Sequence, residues 1–256
     1  MIISTMKNRL KKCLFFALKY LLPIAFWCAI WQLFALRVNN MFILPDIKHT
    51  FIALKELLLS AKSYKIIGNS IIRVLSGLLL GTTLGIVLAV VSCKIKGIYY
   101  ILSPLMSVIK STPVASFILI LWIYFSGNGL PVIVGVLMVL PIVWQNVLDG
   151  YASIDKDLLE VATVFEFSYK KKLTLLFVPA IRKYLTPAII TASGLAWKAE
   201  IAAEIIGYTK KSIGQYINDA KYDHNTATVF AWSLIVILLS VILEKITKLL
   251  LRRSKQ

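Results

Sequence analysis

Glu160–Pro179 reads EVATVFEFSYKKKLTLLFVP, a polar, lysine-bearing insert between two long apolar runs. Everything around it has the composition of membrane: 59% of the 256 residues are hydrophobic and 16% charged, where soluble domains sit nearer ~45–50% and ~25%. The net charge of +17 falls in short clusters between apolar runs. It therefore points to lipid and to membrane sidedness, and no basic face interleaved with aromatics suggests nucleic acid.

A helix needs roughly 20 apolar residues to cross the hydrocarbon core, and only helices or closed barrels satisfy their backbone there. Working outward from the insert, six spans are predicted, at about 20–36, 74–93, 106–125, 130–148, 184–206 and 225–243. The uncharged run 111–148 is too long for one helix, and Ser126-Gly127-Asn128-Gly129 divides it. The basic stretch Lys7–Lys12 heads the first span; no small-residue cleavage site follows it. With both termini inside, eighteen Lys and Arg lie on the cytoplasmic side and nine outside, the expected bias. Residues 149–183 then form a cytoplasmic loop. The outer segment 37–70 carries Phe51, Leu54, Leu57 and Leu58 at helical spacing and reads as an amphipathic surface helix.

Within the loop, Leu158, Val161, Ala162 and Phe165 share one helical face, with Ser153 or Asp155 as cap. A second short helix is expected after Ser168, ended by Pro179. Two short helices with a sharp bend make a knob, and an apolar stripe on a cytosolic knob calls for a groove on another protein.

The loop resembles the EAA motif of bacterial ABC importer permeases. Glu160, Ala162 and Pro179 match in register, Val161 replaces an alanine, and Leu176 and Val178 stand for the motif's isoleucine and leucine. Glu166 stands where glycine is usual, at a bend that favours positive φ. Flanking blocks are similar to the nitrate/sulfonate/taurine-type subfamily: Phe42–Pro45, Asn69–Val74, Gly194–Gly207, Gly214–Ile217 and Val229–Trp232. The resemblance implies an all-α integral membrane fold of type I importer permease architecture, a single permease domain over 1–256. It implies that Glu160 anchors the loop on a separate ATPase, that Ala162 and Phe165 fill its groove, and that Glu166 and Pro179 shape the bend and the exit. Two ATPase copies, a second permease copy and an extracytoplasmic binding protein would be partners. ATP and magnesium would sit on the ATPase, with no cofactor on this chain. The resemblance places the chain in a bacterial cell membrane. It leaves open a sulfonate, nitrate or taurine-like anion or a pyrimidine-type vitamin precursor as solute.

Other residues invite a role. Gly77, Gly81 and Gly85 recur one turn apart and form a smooth ridge for close helix contact, static or sliding. Lys198, Glu200 and Glu204 put charge into the fifth span, where charge is costly. They line a pathway or sit at the water boundary. Cys13, Cys28 and Cys93, with His49 and His224, have no metal-site spacing. The chain lacks a P-loop and the metal and nucleophile signatures of hydrolases, so it reads as a transport subunit rather than an enzyme. An ATP-independent channel or secondary carrier is the alternative; the absence of internal repeat halves and the shaped loop argue against it. The coupling component of vitamin importers carries Ala-Arg-Gly tripeptides, which this chain lacks.

Overall fold

The computed structural model describes residues 2–253, and the side chains of Lys19 and of 21–251. The side chains of Lys7, Arg9, Lys11, Lys12, Arg252 and Arg253, and the whole of Lys255, lie outside what is described. Among the described residues the chain is helical throughout, with α1 Ile2–Val38, α2 Ile47–Leu59, α3 Ala61–Lys94, α4 Lys96–Ser111, α5 Val114–Tyr124, α6 Gly129–Ala152, α7 Lys156–Val164, α8 Tyr169–Lys172, a π-helical turn Leu173–Phe177, α9 Val178–Ile206, α10 Ile213–Tyr222 and α11 Thr226–Arg253. Among the described residues five helices are long and apolar enough to cross a membrane, six if the bent pair α4–α5 counts as one.

The contacts divide the chain into two units. The smaller comprises residues up to Ser60 with Asp219–Ser233. Trp31 Nε1 donates to the Pro45 carbonyl at 3.0 Å, and the Gln32 side chain accepts from the Ile47 amide at 3.2 Å. Asp46 caps α2 by accepting from the His49 amide at 2.8 Å, a standard N-cap bond. That backbone bond, followed by the His49 ring, holds the Asp46 carboxyl below its ordinary value. Thr226 Oγ1 reaches the carbonyls of Met41 and Phe42 at 2.8 and 3.0 Å, fixing the Phe42–Pro45 block.

The larger unit, Ala61–Asn218 with Leu234 onward, is organised around α6, which packs chiefly on α3 and α9. Lipid tails are as apolar as leucine, so close van der Waals fit rather than water exclusion holds such helices together. The glycine ridge provides that fit. Ideal Cβ atoms at Gly81 and Gly85 would each lie 2.8 Å from a valine Cβ of α6, Val139 and Val143 respectively. At the other end of α6, a Cβ on Gly150 would come within 2.7 Å of the Ile181 Cα on α9. Ala188, Ala192, Ala196, Ala199 and Ala203 are buried along α9. Val139, Val143, Trp144 and Val147 fill the seam with Ala89 and Met106, and Trp144 Nε1 finds Ser92 Oγ at 3.1 Å.

Three expectations are corrected. The span at 106–125 is not one helix: α4 and α5 meet at 107° around Thr112-Pro113. Proline pushes the residue before it out of the helical region, and Thr112 is extended at ψ 132°. With 11 residues, α5 covers ~16 Å, about half the hydrocarbon thickness. Second, Pro179 does not end a helix. It sits directly after the π turn in a helical stretch that runs on from Tyr169 to Ile206, and that turn takes up the break in the hydrogen-bond ladder that a proline makes. Third, residues 61–70, read as part of the outer segment 37–70, belong to α3, which begins at Ala61 and contains the span 74–93, and α10 was not foreseen. The expected spans 20–36, 130–148 and 184–206 fall inside α1, α6 and α9, and 225–243 falls in α11 but for its first residue.

Candidate functional site

Two places concentrate chemistry, at opposite ends of the α3–α6–α9 bundle. The first is the insert. Asp155 accepts from the Asp157 amide at 2.9 Å and starts α7; Ser168 accepts from the Lys171 amide at 3.4 Å and starts α8. Between them α7 ends in a Schellman motif. The Phe167 amide bonds the Ala162 carbonyl at 2.9 Å and the Glu166 amide bonds the Thr163 carbonyl at 3.0 Å, which requires a left-handed residue between. That residue is Glu166, at φ 49°. The bend is therefore kept without glycine, at a steric cost of ~1 kcal/mol. Glu166→Gly is expected to stabilise the knob by about 0.3–1 kcal/mol, after the extra backbone entropy of glycine is counted. Slower hydrogen exchange at the Phe167 amide would register it, and unchanged or faster exchange would contradict it.

The knob presents its face outward. Val164 and Phe165 are 78% and 70% exposed, and Leu158 and Val161 are exposed beside them. Glu160 is exposed too, whereas Ala162 is 1% exposed, on the inward side of α7. Sequence periodicity placed Ala162 and Phe165 on one face; the structure separates them. Behind the knob lies a cavity of about 180 Å³ lined by Cys93, Lys94, Tyr151, Tyr169 and Phe177. The Tyr151 and Phe177 rings stack at 5.6 Å, and Lys94 Nζ stands 5.9 Å over Tyr169.

The second place is at the far ends of α3, α6 and α9. Glu200 and Glu204 are each 1% exposed, shielded by the surrounding helices, while Lys198 lies exposed on another face of α9. Glu204 is fully partnered. It accepts from Arg73 Nη1 at 3.0 Å, Ser70 Oγ at 2.9 Å and the Gly214 amide at 3.2 Å. Arg73 Nη2 continues to Asn128 Oδ1 at 2.8 Å and the Lys210 carbonyl at 3.2 Å. One turn deeper, neither Glu200 oxygen has a hydrogen-bond partner among the described residues. Its carboxyl is wedged between Gly77 of α3 and Gly135 of α6, and a Cβ on either glycine would run into it.

Sequence reasoning singled out both glutamates and Gly77; Ser70, Arg73 and Gly214 entered only within family-like blocks, without a role, and Gly135 not at all. Arg73 had a usable signal: an arginine one residue before an uncharged run needs an acidic partner, and Glu200 and Glu204 are the only carboxylates inside a predicted span. Gly135 had none, lying among valines and leucines.

A cavity of about 620 Å³ opens beside Arg73, lined by Lys65, Asn69, Asn128, Lys210 and Lys211 among others. Glu204 also anchors the chain beyond α9. The Thr209 amide closes a second Schellman motif on the Glu204 carbonyl at 3.0 Å, with Tyr208 at φ 49°.

Comparison with known proteins fits this arrangement. The permease protein SsuC of Bacillus subtilis (strain 168), named for aliphatic sulfonates transport, is 28% identical over 92% of this chain and 86% of its own length. CmpB of Synechococcus elongatus, a bicarbonate transport system permease protein, is 29% identical over 61% of this chain and 56% of its own. The fold matches that of a chain in a bacterial ABC transporter involved in the import of the acidic polysaccharide alginate, with a TM-score of 0.63 at 15% identity, covering 99% of this chain and all of that one. A family profile described as the binding-protein-dependent transport system inner membrane component matches residues 81–256. This chain belongs to that family and is an ABC importer permease.

Proposed function

We propose that this permease is driven by a separate ATPase docked on the α7–α8 knob and receives a small anionic solute from an extracytoplasmic binding protein. The observation that carries the reading is the knob itself. A capped two-helix projection with an exposed apolar stripe, joined to a bundle helix through a π turn, is a lever rather than a lipid anchor. Closure of an ATPase pair around nucleotide would move the knob, and α9 would carry that movement to the Glu204–Arg73 end. Two permease copies would present two knobs to two ATPase copies and close the pathway between them. ATP and magnesium belong to the ATPase, and nothing is required of a cofactor on this chain. Both termini lie in the cytoplasm in this reading, with the chain in the bacterial cell membrane. The names of SsuC and CmpB support an anion over a vitamin precursor. An ATP-independent channel or carrier would leave the knob without an occupant.

Glu160→Lys tests it. The side chain is exposed and the substitution leaves the bundle untouched, so the variant should insert normally yet lose most of its ATPase on co-purification. ATP-driven uptake should fall at least tenfold, the loss of one buried interfacial charge contact. Undiminished co-purification and uptake would remove Glu160 from the docking face.

A further inference from the structure

We propose that the 620 Å³ cavity at the end of the bundle away from the knob is a binding site for a small organic oxyanion, an acidic head with a short apolar tail. Lys65, Arg73, Lys210 and Lys211 line it, with Ile72 and Val132 as its apolar wall. Arg73 is already neutralised by Glu204. The ammonium groups of Lys65, Lys210 and Lys211 have no hydrogen-bond or ion-pair partner among the described residues, so three uncompensated cations face one concavity. Such a concavity focuses field lines and concentrates anions.

The lysine pair is built into place rather than left on a loose loop. Arg73 Nη2 holds the Lys210 carbonyl and Asn69 Nδ2 the Lys211 carbonyl, each at 3.2 Å. Asn69 and Arg73 stand one turn apart on α3. The Lys211 amide is fixed by Gln215 Oε1 at 2.7 Å. Lys211 itself is held at φ 54° and Tyr208 at φ 49°. Tyr208 is the left-handed cap of α9; Lys211 is a left-handed non-glycine residue held by the bonds to its own amide and carbonyl, and such strain gathers where side chains must be aimed. The cavity has the size of a small-molecule pocket. Ile72 is 63% exposed beside the lysines, an apolar shelf for a tail. Calling the site a port for the transported solute rests on the permease reading above; the binding of an oxyanion there does not.

The probe is 1-pentanesulfonate, with 1-pentanol as its uncharged counterpart. The permease, in complex with its ATPase in phosphatidylcholine nanodiscs at constant ionic strength, is treated with an amine-acetylating reagent, and each lysine's rate is read by mass spectrometry. Pentanesulfonate should slow Lys65, Lys210 and Lys211 saturably, at least fivefold, and pentanol should not. Lys62, whose Nζ lies 5.0 Å over the Tyr216 ring, and Lys221 should be unmoved. Lys210→Gln with Lys211→Gln should weaken half-protection of Lys65 roughly tenfold, as expected for lost charge-assisted bonds, at an unchanged thermal midpoint. Equal slowing of every exposed lysine, protection by pentanol, or no protection would overturn the site. A parallel set of phosphatidylglycerol nanodiscs separates the sources of the acid group. Protection by that lipid alone, with no response to the sulfonate, would overturn a soluble ligand and give the site to a headgroup. Failure of the ATPase to associate would defeat the proposal of a docked ATPase while leaving the footprint interpretable, and the reverse holds for a missing footprint in an associating complex.

Discussion

Arg73→Met is expected to abolish most of the folded permease recovered from membranes, the largest single effect among these side chains. Arg73 is 8% exposed and its guanidinium bonds Glu204, Asn128 and the Lys210 carbonyl together. Methionine fills the stem's volume but leaves Glu204 as a buried charge without its counter-ion. Breaking a buried pair from one side costs ~3–5 kcal/mol, against a total stability of ~5–15 kcal/mol. Arg73→Lys should recover part of the loss, since an ammonium can meet Glu204 but cannot fork to three acceptors. Arg73→Met with Glu204→Gln should recover more. Glutamine keeps accepting from Ser70 Oγ and the Gly214 amide, and no charge is left stranded. Thermal midpoints by fluorescence-detected size exclusion in mild detergent would rank the four proteins. If the single methionine variant melts with the parent, the Arg73–Glu204 pair is not what holds α3, α9 and the turn after α9 together.

The second large effect is steric. Gly135→Ala should destabilise by ~1–3 kcal/mol, the usual cost of overpacking, because its Cβ would lie 2.5 Å from Glu200 Cδ. Glu200→Ala should relieve it. That change removes the carboxyl from between Gly77 and Gly135 and also removes two buried oxygens that have no partner among the described residues. The double variant should therefore be more stable than Gly135→Ala alone, with a coupling of ~1–2 kcal/mol between the sites. Glu200→Gln keeps the bulk and should not rescue, which separates crowding from charge. Additive losses in Gly135→Ala with Glu200→Ala would mean that the two residues do not meet.

These effects come from positions the sequence marked unevenly. Hydropathy alone places the apolar spans, because every stretch that crosses lipid must satisfy its backbone by itself and so announces its length in composition. The knob was legible for the same local reason: Asp155, Ser168 and the left-handed residue at Glu166 act within a few residues of themselves. The helix ends were less legible. Pro179 looked like a terminator because proline disrupts helix interiors, yet the π turn directly before it lets the helix run on. Thr112-Pro113, by contrast, does break a run that hydropathy read as continuous.

What the sequence determined by itself is the membrane class, the approximate spans and a capped two-helix insert, all set by interactions within one turn or by transfer of single segments into lipid. Only the tertiary structure decided that Glu204 is paired and Glu200 is not. The partners Arg73, Ser70 and Gly77 lie more than a hundred residues away in the chain and Gly135 more than sixty, and which carboxyl meets the arginine depends on how far α3 and α9 are advanced along each other. One turn of relative register separates a carboxyl that meets the arginine from one without a hydrogen-bond partner among the described residues, and no local pattern encodes that distance.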